Sequence, residues 1–160
     1  LAAALCAGLF FLPASAAPVI NDPESYEFEL GRAIVMREGT DATVVACGLM
    51  VSAALEAADA LAAEGISVEV INMHTIKPLD EDTLLASAAK TGHVVTVEEH
   101  SVIGGLGEAC AAVLCEKAPV PMRRVGVQDV YGESGPALEL LDKYGLNAEG
   151  IASAVREMLA

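Results

Sequence analysis

The sequence predicts an α/β domain, a parallel sheet with helices packed on both faces. Three observations carry that reading. From Thr43 onward, short β-branched runs alternate with helical stretches, the pattern of parallel strands joined by crossover helices. Hydrophobic residues make up 54% of the chain but aromatic ones only 4%, with no Trp, so the core is built from Ala, Val, Leu and Ile, which suits strands buried on both faces. A chain of 160 residues buries one core of its own and leaves no room for two packed catalytic domains.

In order along the chain, residues 1–24 read as an apolar start and linker, and residues 25–160 as the domain. Leu1 to Leu12 is an apolar run that Pro13 interrupts, and Ala14-Ser15-Ala16 has the small-residue pattern of a signal-peptidase site. No Lys or Arg precedes Arg32, so the positive region of an export signal is missing, and the stretch reads as the remnant of a preceding domain or, in the second place, as a signal-like segment. Asn21-Asp22-Pro23-Glu24-Ser25 is the polar linker. Ala33 to Met36 and Thr43 to Ala46 are short apolar runs around the turn cluster Glu38-Gly39-Thr40-Asp41, which predicts a hairpin.

The units that follow are Met50 to Ala63 (helix), Ile66 to Met73 (strand), Asp80 to Ala89 (helix) and His93 to Glu98 (strand). Gly107 to Lys117 (helix), Met122 to Val127 (strand), Pro136 to Tyr144 and Ala148 to Leu159 (helices) complete the series. In the first helix Val51, Leu55, Ala58 and Leu61 recur at helical spacing, Glu56, Asp59 and Glu64 face away, and Gly65 ends it. Asp80-Glu81-Asp82 after Pro78 supplies an N-cap and first-turn negative charge, and Asn147 caps the last helix.

Nine Lys and Arg against twenty-three Asp and Glu give a formal charge of −14. A phosphate backbone or an anionic membrane surface repels such a chain, so nucleic acid and membrane are excluded as partners. Cys6, Cys47, Cys110 and Cys115 form no CxxC and have no His at zinc-knuckle spacing, so they read as buried small hydrophobes of a reducing, cytoplasmic chain without a metal site.

Two stretches carry candidate chemistry. In Val94-Val95-Thr96-Val97-Glu98-Glu99-His100, a buried strand runs into two carboxylates and a His, and Gly104-Gly105-Leu106-Gly107-Glu108 follows at a helix N-terminus. Glu98, Glu99, His100, Gly104, Gly105 and Gly107 are thus candidates for an interface or an anion loop, because free helix-terminal amides hold anions and glycines permit close backbone approach. Three successive strand residues cannot all point one way, so at most a subset converges. The glycine spacing is neither a dinucleotide fingerprint nor a Walker loop. Cys47-Gly48 after its strand is a possible nucleophile with no adjacent base, and His74 and His93 read as structural. The second stretch, Asp129, Tyr131, Gly132, Ser134 and Gly135 between Val127 and Pro136, is a turn-rich candidate docking loop.

These residues resemble the C-terminal domain of the transketolase family, most closely the C-terminal subunit of split, two-chain transketolases. The matching stretches are Tyr26-Glu27-Phe28-Glu29-Leu30-Gly31-Arg32-Ala33, Arg37-Glu38-Gly39-Thr40-Asp41, Ala46-Cys47-Gly48 and Ile76-Lys77-Pro78-Leu79-Asp80. Val97-Glu98-Glu99-His100 with Gly104-Gly105-Leu106-Gly107, and Tyr131-Gly132-Glu133-Ser134-Gly135, follow in family order. The resemblance implies a three-layer α/β/α domain with a five-stranded mixed sheet whose first strand, about Arg32 to Arg37, runs antiparallel.

The resemblance further implies a part of a transferase of the pentose phosphate pathway, which uses thiamine diphosphate and magnesium to move a two-carbon ketol unit between sugar phosphates. Both cofactors belong to two other domains, so this chain is expected to bind neither alone and to hold no catalytic residue. Its implied role is docking and oligomer assembly with an N-terminal subunit or upstream domains. The alternatives are the same domain of a 2-oxo acid dehydrogenase beta subunit or a deoxyxylulose phosphate synthase, and a stand-alone anion-binding module.

Overall fold

The computed structural model describes residues 27–160, so the expectations for residues 1–24 and the match at Tyr26 lie outside the described residues. The elements are β1 (Ile34–Arg37), β2 (Ala42–Ala46), α1 (Met50–Ala63), β3 (Val68–Asn72), α2 (Glu81–Thr91), β4 (Val94–Ser101), α3 (Leu106–Lys117), β5 (Met122–Val127), α4 (Ala137–Lys143) and α5 (Ala148–Leu159). They form one five-stranded sheet in the order β1-β3-β2-β4-β5. β1 runs antiparallel to β3 and the remaining pairs are parallel, the mixed sheet that the resemblance implies.

The expected hairpin is not formed. β1 pairs with β3, Ile34 opposite Asn72 and Val35 opposite Ile71, and β3 separates it from β2. The turn cluster crosses the amino end of β3 instead: the amides of Thr40 and Asp41 donate to the Ser67 carbonyl at 3.1 and 2.8 Å, and Asp41 Oδ2 accepts the Ser67 amide at 2.7 Å. Gly39 lies so close to β3 that a Cβ there would meet the Glu69 amide nitrogen at 2.1 Å. Every residue of β3 is buried, and a strand buried on both faces satisfies its backbone by taking a neighbour on each side.

Side chains alternate between two cores, as the pleat requires. Ala42, Val44, Ala46, Val68, Val70, Val95 and Val97 pack with α1 and α5, while Val45, Ile71 and Val94 pack with α2 and α3. The stripe of α3 runs through Leu106, Cys110 and Leu114 at four-residue steps. That spacing turns Cys115 out to solvent, which corrects the expectation that every cysteine is buried; Cys6 lies outside the described residues.

The caps follow the sequence. Asp80 accepts the Thr83 amide at 3.0 Å, and Asn147 accepts the Gly150 amide at 2.8 Å. Asp80 does more than cap: its other oxygen accepts the Ala33 amide at 2.8 Å, fastening the start of β1 to α2. Nearby, Gly31 has φ +80, a Cβ on it would lie 2.8 Å from Pro78 Cγ, and its amide donates to Thr75 Oγ1 at 3.0 Å.

Candidate functional site

Neighbouring strands β2 and β4 send their chains to opposite faces, α1 into one core and α3 into the other. The crevice beyond their carboxyl ends is where open α/β sheets place ligands and contacts. A cavity of about 350 Å³ lies there, lined by Cys47, Gly48 and Leu49 after β2, Ile76 after β3, Glu98, Glu99 and His100 at the end of β4, and Gly104 and Gly105. Residues separated by some fifty positions in sequence, including Cys47 and the glycine loop, therefore share one wall.

The three successive residues of β4 divide, but not by simple alternation, which would set His100 on the face of Glu98; the β4 and β5 register shifts between Val97 and Ser101. Glu98 is 2% exposed, whereas Glu99 and His100 are exposed. Glu98 continues the face of Val94 and Thr96 under α3, and its two oxygens accept the amides of Leu106 at 2.7 Å and Gly107 at 2.8 Å. The helix N-terminus that could hold an anion thus holds the chain's own carboxylate. His100 turns its Nδ1 to the Ser101 carbonyl at 2.8 Å.

The glycines of the loop are required for different reasons. Gly104 has φ +80 and open space around it, a left-handed turn that favours glycine. At Gly105, a Cβ would lie 1.9 Å from Glu98 Oε2, and at Gly107 one would lie 2.8 Å from Arg124 Cδ. Arg124 in turn donates to the Val102 carbonyl at 2.7 Å, so β5 ties down the start of the loop.

Cys47 does not have the surroundings of a nucleophile. Burial, with the Glu98 charge second, raises its pKa and keeps it as a thiol. Burial pushes Cys110 up to about 12, with help from Glu98 and Cys47. His74 Nε2 lies 3.2 Å from the Glu29 carbonyl and its ring 4.8 Å from that of Phe28. His93 Nδ1 lies 3.3 Å from the Thr91 carbonyl.

The second candidate loop leaves β5 through Asp129, whose φ is 48 and whose amide donates to the Val127 carbonyl at 3.0 Å. Asp129, Tyr131, Gly132, Ser134 and Gly135 are all exposed. Glu133 is held by Lys143 of α4 at 2.7 Å.

One buried cluster is not evident from the sequence motifs. Glu69, in the middle of β3 and buried, accepts from Ser87 and pairs with Lys90, which also reaches Glu38 at 2.7 Å. Thr43 Oγ1 lies 2.6 Å from Ser87 Oγ and 2.8 Å from Thr91 Oγ1. The signal was its position: Glu69 falls opposite Thr43 in the β2 and β3 register, on the same face.

A family model described as the C-terminal domain of transketolase matches residues 31–151. The chain belongs to that transketolase family. Among relatives of this transketolase domain, the 6-deoxy-6-sulfo-D-fructose transketolase subunit SqwH of Clostridium sp. (strain MSTE9) is 54% identical over 86% of the chain and 42% of its own length. The 1-deoxy-D-xylulose-5-phosphate synthase of Heliobacterium modesticaldum is 42% identical over 88% of the chain and 22% of its own length. A solved structure described as a split gene transketolase, inactive beta4 tetramer, superposes with a TM-score of 0.79 at 50% identity, covering 84% of the chain and 43% of that protein. The chain thus spans less than half the length of each of these relatives.

The residues present do not fit thiamine diphosphate with magnesium. The amides best placed to cradle a diphosphate hold Glu98, and the described residues contain no group of three or more His, Cys, Asp or Glu able to hold a metal ion. Among the described residues, no helix is long and apolar enough to cross a membrane.

Proposed function

We propose that the chain is the C-terminal domain of a split transketolase. In this reading it is a docking and assembly part of a cytoplasmic enzyme that transfers a two-carbon ketol unit between sugar phosphates. Thiamine diphosphate and magnesium would be held by other domains, on an N-terminal subunit or upstream in the chain. The 54% identity to a transketolase subunit supports this. The observation that carries it is the Glu98 carboxylate on the amides of Leu106 and Gly107, which commits the glycine loop to shaping a surface rather than to gripping a phosphate. The same observation disfavours a stand-alone anion-binding module. The match to the Heliobacterium synthase supports a second reading, the corresponding domain of a deoxyxylulose phosphate synthase.

Reconstitution tests it. With the cofactor-binding domains supplied as separate polypeptides, ketol transfer from a ketose phosphate to an aldose phosphate should depend on adding this chain. Transfer at full rate without it overturns the reading, and condensation of pyruvate with glyceraldehyde 3-phosphate in place of transfer selects the second one. Alone, the chain should give no saturable heat with thiamine diphosphate and magnesium. A micromolar Kd, about −8 kcal/mol, would require a formed cofactor pocket and would overturn the domain assignment.

A further inference from the structure

We propose that the surface from Gln128 to Lys143 docks a basic face of the cofactor-binding subunit, with Tyr131 as the anchor. The inference rests on the split-transketolase reading and adds the chemistry of the partner's surface.

The segment has a defined shape that its own domain does not cover. Residues 128–139 are all exposed, α4 buries none of its residues, and Tyr131 is 98% exposed beside Val130, with Leu138 on α4 also open to solvent. Its shape comes from local contacts: the left-handed turn at Asp129, the Lys143 grip on Glu133, and the Leu140 amide on the Pro136 carbonyl at 3.1 Å. Leu141 and Tyr144 fix its far end to the core. An ordered loop that holds an aromatic ring and two aliphatic side chains in water pre-pays the ordering cost of association and presents the kind of residue that dominates interfaces.

Charge selects the occupant. The surface carries four carboxylates, Asp129, Glu133, Glu139 and Asp142, against one cation, Lys143, which is already bound to Glu133. A second copy would bring the same four carboxylates to a two-fold contact, from a chain of net charge −14, and like charges across an interface are costly. Lys and Arg around an apolar pocket for Tyr131 are the complement.

The test titrates the 160-residue chain with the cofactor-binding subunit of the same organism's split transketolase, by calorimetry at about 50 and about 300 mM salt. Wild type should bind, and more weakly at the higher salt. Tyr131→Ala should weaken binding about tenfold or more while melting as wild type does, since the ring touches little of its own domain. Glu139→Lys should weaken binding most at low salt. Wild-type binding that Tyr131→Ala leaves unchanged overturns the proposal and spares the split-transketolase reading. Self-association in sedimentation that Tyr131→Ala abolishes also overturns it, in favour of a second copy. Failure of the wild type to bind overturns the split-enzyme reading and this proposal together.

Discussion

The Glu98 carboxylate accepts the amide of Gly107 at 2.8 Å, so the strand that leads into the glycine loop also caps the helix that leaves it. A carboxylate on helix-terminal amides forms charge-assisted hydrogen bonds and meets the positive end of the helix dipole. The loop between them is thereby closed at both ends, and Arg124 pins its start through the Val102 carbonyl. The wall of the crevice that remains open to solvent is formed by exposed Glu99, His100 and Leu49.

Two neighbouring glycines therefore respond differently to the same substitution. Gly105→Ala places a Cβ 1.9 Å from Glu98 Oε2 and must push the carboxylate off the amides, at a cost of about 1–3 kcal/mol for the buried groups left unpaired. Gly104→Ala meets nothing but has φ +80, so it costs about 1 kcal/mol of backbone strain alone. Urea unfolding of both variants checks the order. In Gly104→Ala the amides of Leu106 and Gly107 should stay protected from hydrogen exchange, and in Gly105→Ala they should not. Equal protection in the two would show that Glu98 does not hold the helix.

How far these features were legible in the sequence depends on how local they are. The bounds of α1 and α5 follow from spacing and flanking residues, and Asn147 announces the start of α5 by itself. The partner of β1 is not local: a turn cluster between two apolar runs reads as a hairpin unless one knows that β3, some thirty residues later, inserts between them. Glu98, Glu99 and His100 look alike as a polar triplet, yet strand parity already groups Glu98 with Val94 and Thr96 on the α3 side. The same parity places Glu69 opposite Thr43, but only the packed α2, with Ser87 and Lys90, makes a carboxylate tolerable there.

Glu69 tests that last point. Glu69→Ala removes the acceptor of the buried Ser87 hydroxyl and the counter-charge of Lys90, and should destabilise the chain by about 1–3 kcal/mol in urea unfolding. Glu69→Gln keeps an oxygen toward Ser87 but gives up the charge and turns an NH2 donor toward Lys90. It should still lose clearly less, because Lys90 is partly solvated and keeps Glu38 at 2.7 Å. A Glu69→Ala variant as stable as wild type would mean that the network adds nothing to stability.

Asp80 makes stability depend on acid pH. Burial pushes its carboxyl up, but the amides of Ala33 and Thr83, the Thr83 hydroxyl and the Arg32 charge together hold it below the ordinary value of 3.8. The unfolded chain therefore takes up this proton more readily than the folded one. The Asp80 contribution is complete above about pH 5, shrinks as pH falls through the unfolded value, and is gone below the folded one. Asp80→Asn offers one carbonyl oxygen where the carboxylate uses two, Oδ1 for the Thr83 amide and Oδ2 for Ala33 and the Thr83 hydroxyl. At pH 7 it should be less stable than wild type by about 1–3 kcal/mol, and the gap should narrow between about pH 5 and about pH 3. Urea unfolding across that range measures it, at low protein concentration because the net charge that keeps chains apart vanishes near the pI of about 4.4. A gap that stays constant down to pH 3 would trace the loss to geometry and not to the carboxylate.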